Sequence, residues 1–193
     1  MTLHRCVTSD PAWAFKDKLP GGGRGAVKHY NVEQLNKIID YHKKVFSEMV
    51  EPTAWLFLWR VAAMQGEAFE LVKALGFVVK ADITWVKTKD PNRRRLQIGM
   101  GHYCRNDHET CLVCVRGKGA ASLRLSKSET SVVFAPRTRH SEKPAEFMEK
   151  VERLCPGPRL ELYARVPREG WTQLGDESGK APLRSARKKV KRG

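Results

Sequence analysis

No apolar run in these 193 residues approaches the length of a membrane-spanning helix, which argues against a helical membrane protein. The opening Met1-Thr2-Leu3-His4-Arg5 has no apolar core of the secretory kind. Cysteine is sparse: five residues, an odd number without framework spacing, argue against a disulfide scaffold and for reduced thiols in a cytoplasmic setting. No internal repeat is visible, and the length is expected to form one domain. Acidic residues are outnumbered, 21 against 36 Lys and Arg, for a net charge of +15. That excess is larger than solubility requires and selects polyanions, nucleic acid first, as partners. A membrane surface fits less well, because no basic helix with a strong apolar face is present. The remaining composition, 41% hydrophobic and 30% charged, is that of a globular chain rather than a disordered one.

The sharpest local signal is Asp10-Pro11-Ala12-Trp13. Cys6-Val7-Thr8-Ser9 before it reads as a short buried strand, so the motif falls where a strand ends and a loop begins. Open α/β sheets keep their chemistry at that edge. A carboxylate, a carbonyl aimed by a proline ring and a flat indole suit an exocyclic amine on a planar base. The two oxygens accept its N–H groups and the ring stacks on the base. The plainer alternative is a turn, which Asp-Pro commonly opens.

Ala14 to Tyr30 is a basic loop containing Gly21-Gly22-Gly23-Arg24-Gly25. Without a Gly-Lys-Ser/Thr ending it reads as a lid or substrate loop rather than a phosphate cradle. Asn31 is expected to open a helix, with Gln34 completing a capping box and Pro52 ending it. Its stripe is Val32, Leu35, Ile38, Ile39 and Phe46. Ala54 to Trp59 is apolar throughout, as in a strand buried on both faces. A helix from Glu67 to Leu75 stops at Gly76. Strand patterns follow at Phe77 to Val86, Cys111 to Val115, Ser131 to Phe134 and Leu160 to Ala164, with Lys87 to Leu96 as a loop. Pro144 to Cys155 reads as a helix with Phe147, Met148, Val151, Leu154 and Cys155 inward. Alternating strands and helices predict an α/β fold: a three-layer domain over residues 1–175 with a mostly parallel sheet. Residues 176–193 form a basic tail.

Three blocks, in order, carry a resemblance. The first is Asp10-Pro11-Ala12-Trp13. The second runs from Gly101-His102-Tyr103 through Glu109-Thr110-Cys111 to Gly117-Lys118. The third runs from His140-Ser141-Glu142-Lys143-Pro144 through Pro156-Gly157 and Glu161-Leu162-Tyr163-Ala164-Arg165 to Gly170-Trp171. With these blocks the chain resembles the N6-adenine methyltransferases related to the catalytic subunit of the messenger-RNA adenine methyltransferase, especially short bacterial and phage members.

The resemblance implies a permuted Rossmann-like methyltransferase, with the catalytic motif early and much of the S-adenosylmethionine site late. It assigns Asp10, Pro11 and Trp13 to catalysis. Asp10, Lys143, Arg165, Asp176 and Glu177 fall to the cofactor, with Lys143 on its carboxylate and the last three on its ribose. Trp13, Phe15, Tyr30, Arg105 and Glu109 fall to the acceptor. Ala12 stands where the family has a second proline, and the family's usual pair at Asp176-Glu177 carries amides. Larger members also have an acidic strand ahead of the motif; a partner, a second copy or another residue would compensate here.

The implied reaction is methyl transfer to the adenine amine, with the base flipped out of any duplex. DNA is the expected acceptor, from the short layout, with RNA as the alternative. Arg93-Arg94-Arg95 and the tail read as phosphate contacts. A catalytically inactive nucleic-acid-binding partner is the competing class, and a homodimer or partner subunit stays open. A zinc site from His102, Cys104, His108, Cys111 and Cys114 is the third reading. Cys111 and Cys114 lie three apart in a strand, which sends them to opposite faces, so no metal is expected.

Overall fold

The computed structural model describes residues 2–13, 34–90, 95–99, 103–137 and 142–175. Seven strands form one sheet: β1 (His4–Ser9), β2 (Val50–Arg60), β3 (Val78–Thr88), β4 (His108–Arg116), β5 (Val132–Pro136), β6 (Arg159–Ala164) and β7 (Trp171–Gly175). Their order is β5-β3-β4-β2-β1-β6-β7. The β1–β2, β1–β6, β3–β5 and β6–β7 pairs are parallel, whereas β4 runs antiparallel to both its neighbours. Among the described residues three α-helices, α1 (Leu35–Met49), α2 (Gln65–Ala74) and α3 (Ala145–Leu154), accompany the sheet.

The sheet separates two cores. On one face Leu56, Leu58, Leu112 and Cys114 pack with Ile38 and Phe46 of α1 and Leu71 of α2. On the other, Trp55, Phe57, Trp59, Cys111 and Val113 pack with Phe147, Met148 and Val151 of α3. Strand parity makes this division: odd positions of β2 face α3 and even positions face α1 and α2. The expected three-layer α/β architecture with a mostly parallel sheet is what the chain adopts, and Ala54 to Trp59 is buried on both faces.

Several boundaries differ from the sequence reading. The helix expected at Asn31 begins at Leu35 among the described residues; Gln34 is extended and its side chain makes no capping bond. Asn31 and Val32 lie outside the described residues. Pro52 does not end that helix, because Val50 is already extended and begins β2. Pro52 is tolerated in the strand because the β1–β2 register is irregular there and the β4 ladder begins only at Ala54. Helix α2 starts two residues before Glu67. It does stop at Gly76, whose φ of +73° lets its N–H reach the Lys73 carbonyl while Phe77 N–H reaches that of Val72.

Lys87 and Thr88, read as loop, belong to β3, because the parallel pairing with β5 continues through Lys87↔Ala135 and Thr88↔Pro136. Strand β7 was not foreseen. The lid loop and the basic tail lie outside the described residues.

Candidate active site

The motif sits where a strand-end reading puts it. Strand β1 ends at Ser9, and Asp10, Pro11, Ala12 and Trp13 all line a cavity of about 670 Å³. The other lining residues come from the same edge of the sheet. Trp59 and Arg60 close β2, Trp85 and Lys87 close β3, Arg137 follows β5 and Arg165 follows β6. Because β4 is antiparallel, its beginning reaches this edge, bringing His108, Glu109 and Thr110. Glu142 and Lys143 arrive from the segment leading into α3.

A buried pair braces the end of β1. His42 Nδ1–H donates to the Ile38 carbonyl at 2.7 Å, which leaves Nε2 to accept from the Ser9 hydroxyl at 2.8 Å. Burial pushes the His42 pKa down to about 4, against a smaller opposing effect of the Ile38 bond. The ring is therefore neutral near pH 7 and holds the residue next to Asp10 in place.

The motif itself is a tight turn in which Trp13 N–H donates to the Pro11 carbonyl at 2.9 Å. One lone pair of that carbonyl is thus engaged within the turn. The Trp13 indole is only 4% exposed. It packs in the core on the α1 and α2 side and donates from Nε1 to the Trp59 carbonyl at 3.0 Å. The ring therefore locks the motif onto the end of β2, and the residue lines the cavity.

Charge is concentrated at one point. Lys143 Nζ lies 2.9 Å from Asp10 Oδ2 and 3.0 Å from Glu109 Oε2, and Lys87 Nζ lies 2.7 Å from Glu109 Oε1. Burial opposes the Lys143 charge, but the Asp10 and Glu109 carboxylates more than offset it and raise its pKa, so it remains an ammonium. Burial likewise works against the Glu109 charge, yet Lys143 and Lys87 bring its pKa down to about 2. Both lysines also lie over indoles, Lys143 4.8 Å from the Trp59 centroid and Lys87 5.3 Å from that of Trp85.

A second, smaller recess opens between the end of β6 and the start of α3, lined in part by Glu161, Tyr163 and Arg168. It shares Asp10, Glu142, Lys143 and Arg165 with the large cavity. Two adjoining spaces thus meet at the Asp10–Lys143 pair. A carboxylate beside an ammonium is the complement of a zwitterionic amino-acid group, so this donor set fits the methionine end of S-adenosylmethionine.

Among the residues singled out from sequence, Asp10, Pro11, Trp13, Lys143, Arg165 and Glu109 converge on this site. Arg105 is exposed on the segment before β4 and does not line either space. Phe15, Tyr30, Asp176 and Glu177 lie outside the described residues. Trp59, Trp85 and Lys87 were not singled out. Their strand-end positions are the signal that marks them, and Lys87 is hidden in the sequence because the apolar pattern ends at Val86, two residues before β3 does. Cys111 and Cys114 do face opposite sides, one in each core. Among the described residues no cluster of His, Cys, Asp and Glu suited to a metal is present.

A mostly parallel α/β sheet with two spaces meeting at a strand-end carboxylate has the architecture of a Rossmann-like methyltransferase domain. The MT-A70 family profile matches residues 4–177, and the chain belongs to that family. It is 27% identical over 176 residues to the N(6)-adenosine-methyltransferase MT-A70-like protein of Arabidopsis thaliana, covering 89% of this chain and 23% of that protein. It is 28% identical over 174 residues to the N(6)-adenosine-methyltransferase subunit METTL3 of Danio rerio. With the N(6)-adenosine-methyltransferase catalytic subunit METTL3 of Homo sapiens it is 27% identical over 174 residues. Each of these two matches covers 89% of this chain and 27% of the relative. The chain spans about a quarter of the length of the curated relatives it matches.

Proposed function

We propose that this chain transfers a methyl group from S-adenosylmethionine to the N6 amine of adenine in nucleic acid. The observation that carries the reading is the meeting of two ligand spaces at Asp10 and Lys143, on a strand end that opens the family's motif. The family relationship and the names of the relatives support it.

When bound, S-adenosylmethionine supplies an electrophilic methyl group on a sulfonium. Lys143 and Arg165 would hold its polar groups from the smaller recess, and Asp10 faces both ligands. An adenine amine is a poor nucleophile because its lone pair is conjugated with the ring. The Asp10 carboxylate and the Pro11 carbonyl would accept its two hydrogens and draw the nitrogen toward tetrahedral geometry. The same two oxygens would stabilise the positive charge that develops on nitrogen when it takes the methyl group and the neutral thioether departs with the C–S electron pair. The surplus proton leaves along the Asp10 hydrogen bond to solvent. Trp13 braces the motif and forms the wall against which the base lies, and holding both reactants at one strand end supplies the proximity term.

The net charge of +15 supports a polyanionic acceptor. The relatives are named for adenosine. DNA, expected from the short layout, has no described residue that selects it over RNA. The test is a radiolabel transfer assay on single-stranded DNA, double-stranded DNA and RNA with nucleoside analysis. N6-methyladenine in one of them confirms the reaction and identifies the acceptor. No transfer and no binding of S-adenosylmethionine would move the chain to the class of inactive nucleic-acid-binding partners.

A further inference from the structure

Two lysines converge on Glu109 and take different oxygens of its carboxylate, Lys87 on Oε1 and Lys143 on Oε2. Only Lys143 also reaches Asp10. The four groups form a neutral set of two ammoniums and two carboxylates. Without Lys87, two carboxylates would share one ammonium. Glu109 would then draw Lys143 toward itself and away from Asp10. An arriving carboxylate would meet one more unit of negative charge in a partly buried space, where charge is poorly screened.

The frame around Lys87 suits a fixed charge. Its side chain is 13% exposed, a costly place for an unpaired ammonium. Its backbone is held on three sides: Lys87 N–H donates to the Asp107 carbonyl at 2.7 Å, its own carbonyl accepts from Gln97 N–H at 2.8 Å, and it pairs with Ala135 of β5. Trp85, two residues earlier on the same face of β3, stands opposite Glu109 in the ladder and lies under the Lys87 ammonium. Strand register therefore aims Lys87 at Glu109.

We propose that Lys87 is a positioning residue for the methyl-donor site: by neutralising Glu109 it leaves Lys143 to Asp10 and to the carboxylate end of the donor. This rests on the reading of Lys143 given above. Lys87 lines the large cavity but not the smaller recess, so it acts on the donor through Glu109 and Lys143. The low pKa of Glu109, about 2, agrees with its being held by both lysines.

The experiment is calorimetric titration of S-adenosylmethionine into the wild type, Lys87→Met, Lys87→Arg, Glu109→Gln and the Lys87→Met/Glu109→Gln double variant. Thermal melts confirm that each is folded. Lys87→Met is expected to weaken donor binding about tenfold, a typical effect of uncompensating one charge in a paired cluster. Lys87→Arg should bind within about threefold of the wild type, and the double variant within about threefold of Glu109→Gln, because removing the carboxylate removes the need for its partner. Lys87→Met binding as the wild type does, or the double variant staying weak, overturns the proposal. Carboxyl NMR of Glu109 in the apoprotein supplies a readout independent of any ligand. Its pKa should rise from about 2 in Lys87→Met, and an unchanged value also overturns the proposal. A wild type that binds no donor ends the methyltransferase reading, and the Glu109 titration then decides alone whether Lys87 holds Glu109 off Lys143.

Discussion

Lys143 Nζ lies 2.9 Å from Asp10 Oδ2, joining the end of the first strand to the segment that enters the last helix. The two residues are far apart in the chain and adjacent in the site because β1 and α3 meet at one edge of the sheet. Asp10 faces both ligand spaces through this contact. Removing its carboxylate should therefore affect chemistry before it affects folding.

Asp10→Asn replaces one accepting oxygen by a donating amide, which opposes an amine hydrogen instead of accepting it. Methyl transfer should fall by about a hundredfold to a thousandfold, the usual scale for losing one preorganised partner of developing charge. The fold should persist, because Lys143 keeps Glu109 at 3.0 Å. Initial rates with labelled donor, paired with a thermal melt, check both halves. Full activity in a folded Asp10→Asn protein would end the mechanism.

Trp13 is a brace as well as a wall. Trp13→Ala empties a core position and removes the bond to the Trp59 carbonyl, so it should cost about 3–5 kcal/mol. Trp13→Phe keeps much of the packing and loses the hydrogen bond, which should cost about 1–2 kcal/mol. Urea unfolding gives the stabilities, and acceptor binding by the folded Phe variant separates bracing from contact. A Trp13→Ala protein as stable as the wild type would contradict the packing described.

Acid should weaken the fold through His42 before the carboxylates titrate. Its folded pKa is about 4, below the unfolded value near 6.5, so above pH 6.5 its contribution is complete. As pH falls from 6.5 toward 4, the unfolded chain binds a proton that the folded chain refuses. Stability then drops by up to about 3 kcal/mol. Urea midpoints between pH 7.5 and 4.5 measure the slope. His42→Asn retains a donor for the Ile38 carbonyl and cannot titrate, so its midpoint should vary less over that range. Equal slopes in the two proteins would remove His42 as the cause.

Chelation should leave the protein unchanged. Cys111 and Cys114 point into different cores, and burial pushes both thiols up, the latter to about 12. Neither offers a thiolate to zinc at neutral pH. Metal analysis should find less than stoichiometric zinc, and excess chelator should not move the melting temperature. Stoichiometric zinc whose removal unfolds the chain would restore the zinc reading.

Much of the architecture was legible because apolar patterning is local. Ala54 to Trp59 reads as a doubly buried strand, and Pro144 to Cys155 as a helix whose Phe147, Met148 and Val151 face the core. Boundaries were less legible where pairing outruns pattern. Strand β3 continues through Lys87 and Thr88 because β5 lies beside it. Pro52 stays within β2 because its register is irregular there. Strand β7 is short and lies at the sheet edge, and Trp171 to Gly175 alternates too briefly to be distinguished from loop.

The sequence by itself determined that Asp10 would stand at a strand end, that Lys143 would precede a helix, and that the chain would carry the motifs of its family. These depend on residues close together in the chain. Only the tertiary structure decided that Lys87, Glu109, Lys143 and Asp10 form one charged set. Their meeting depends on the strand order and on β4 running against its neighbours, which carries Glu109 to the edge where the other strands end. Local patterning specifies which segments become strands. Which side chains share an edge is settled by how distant strands pair, and those pairings form only as the two cores on either side of the sheet are buried.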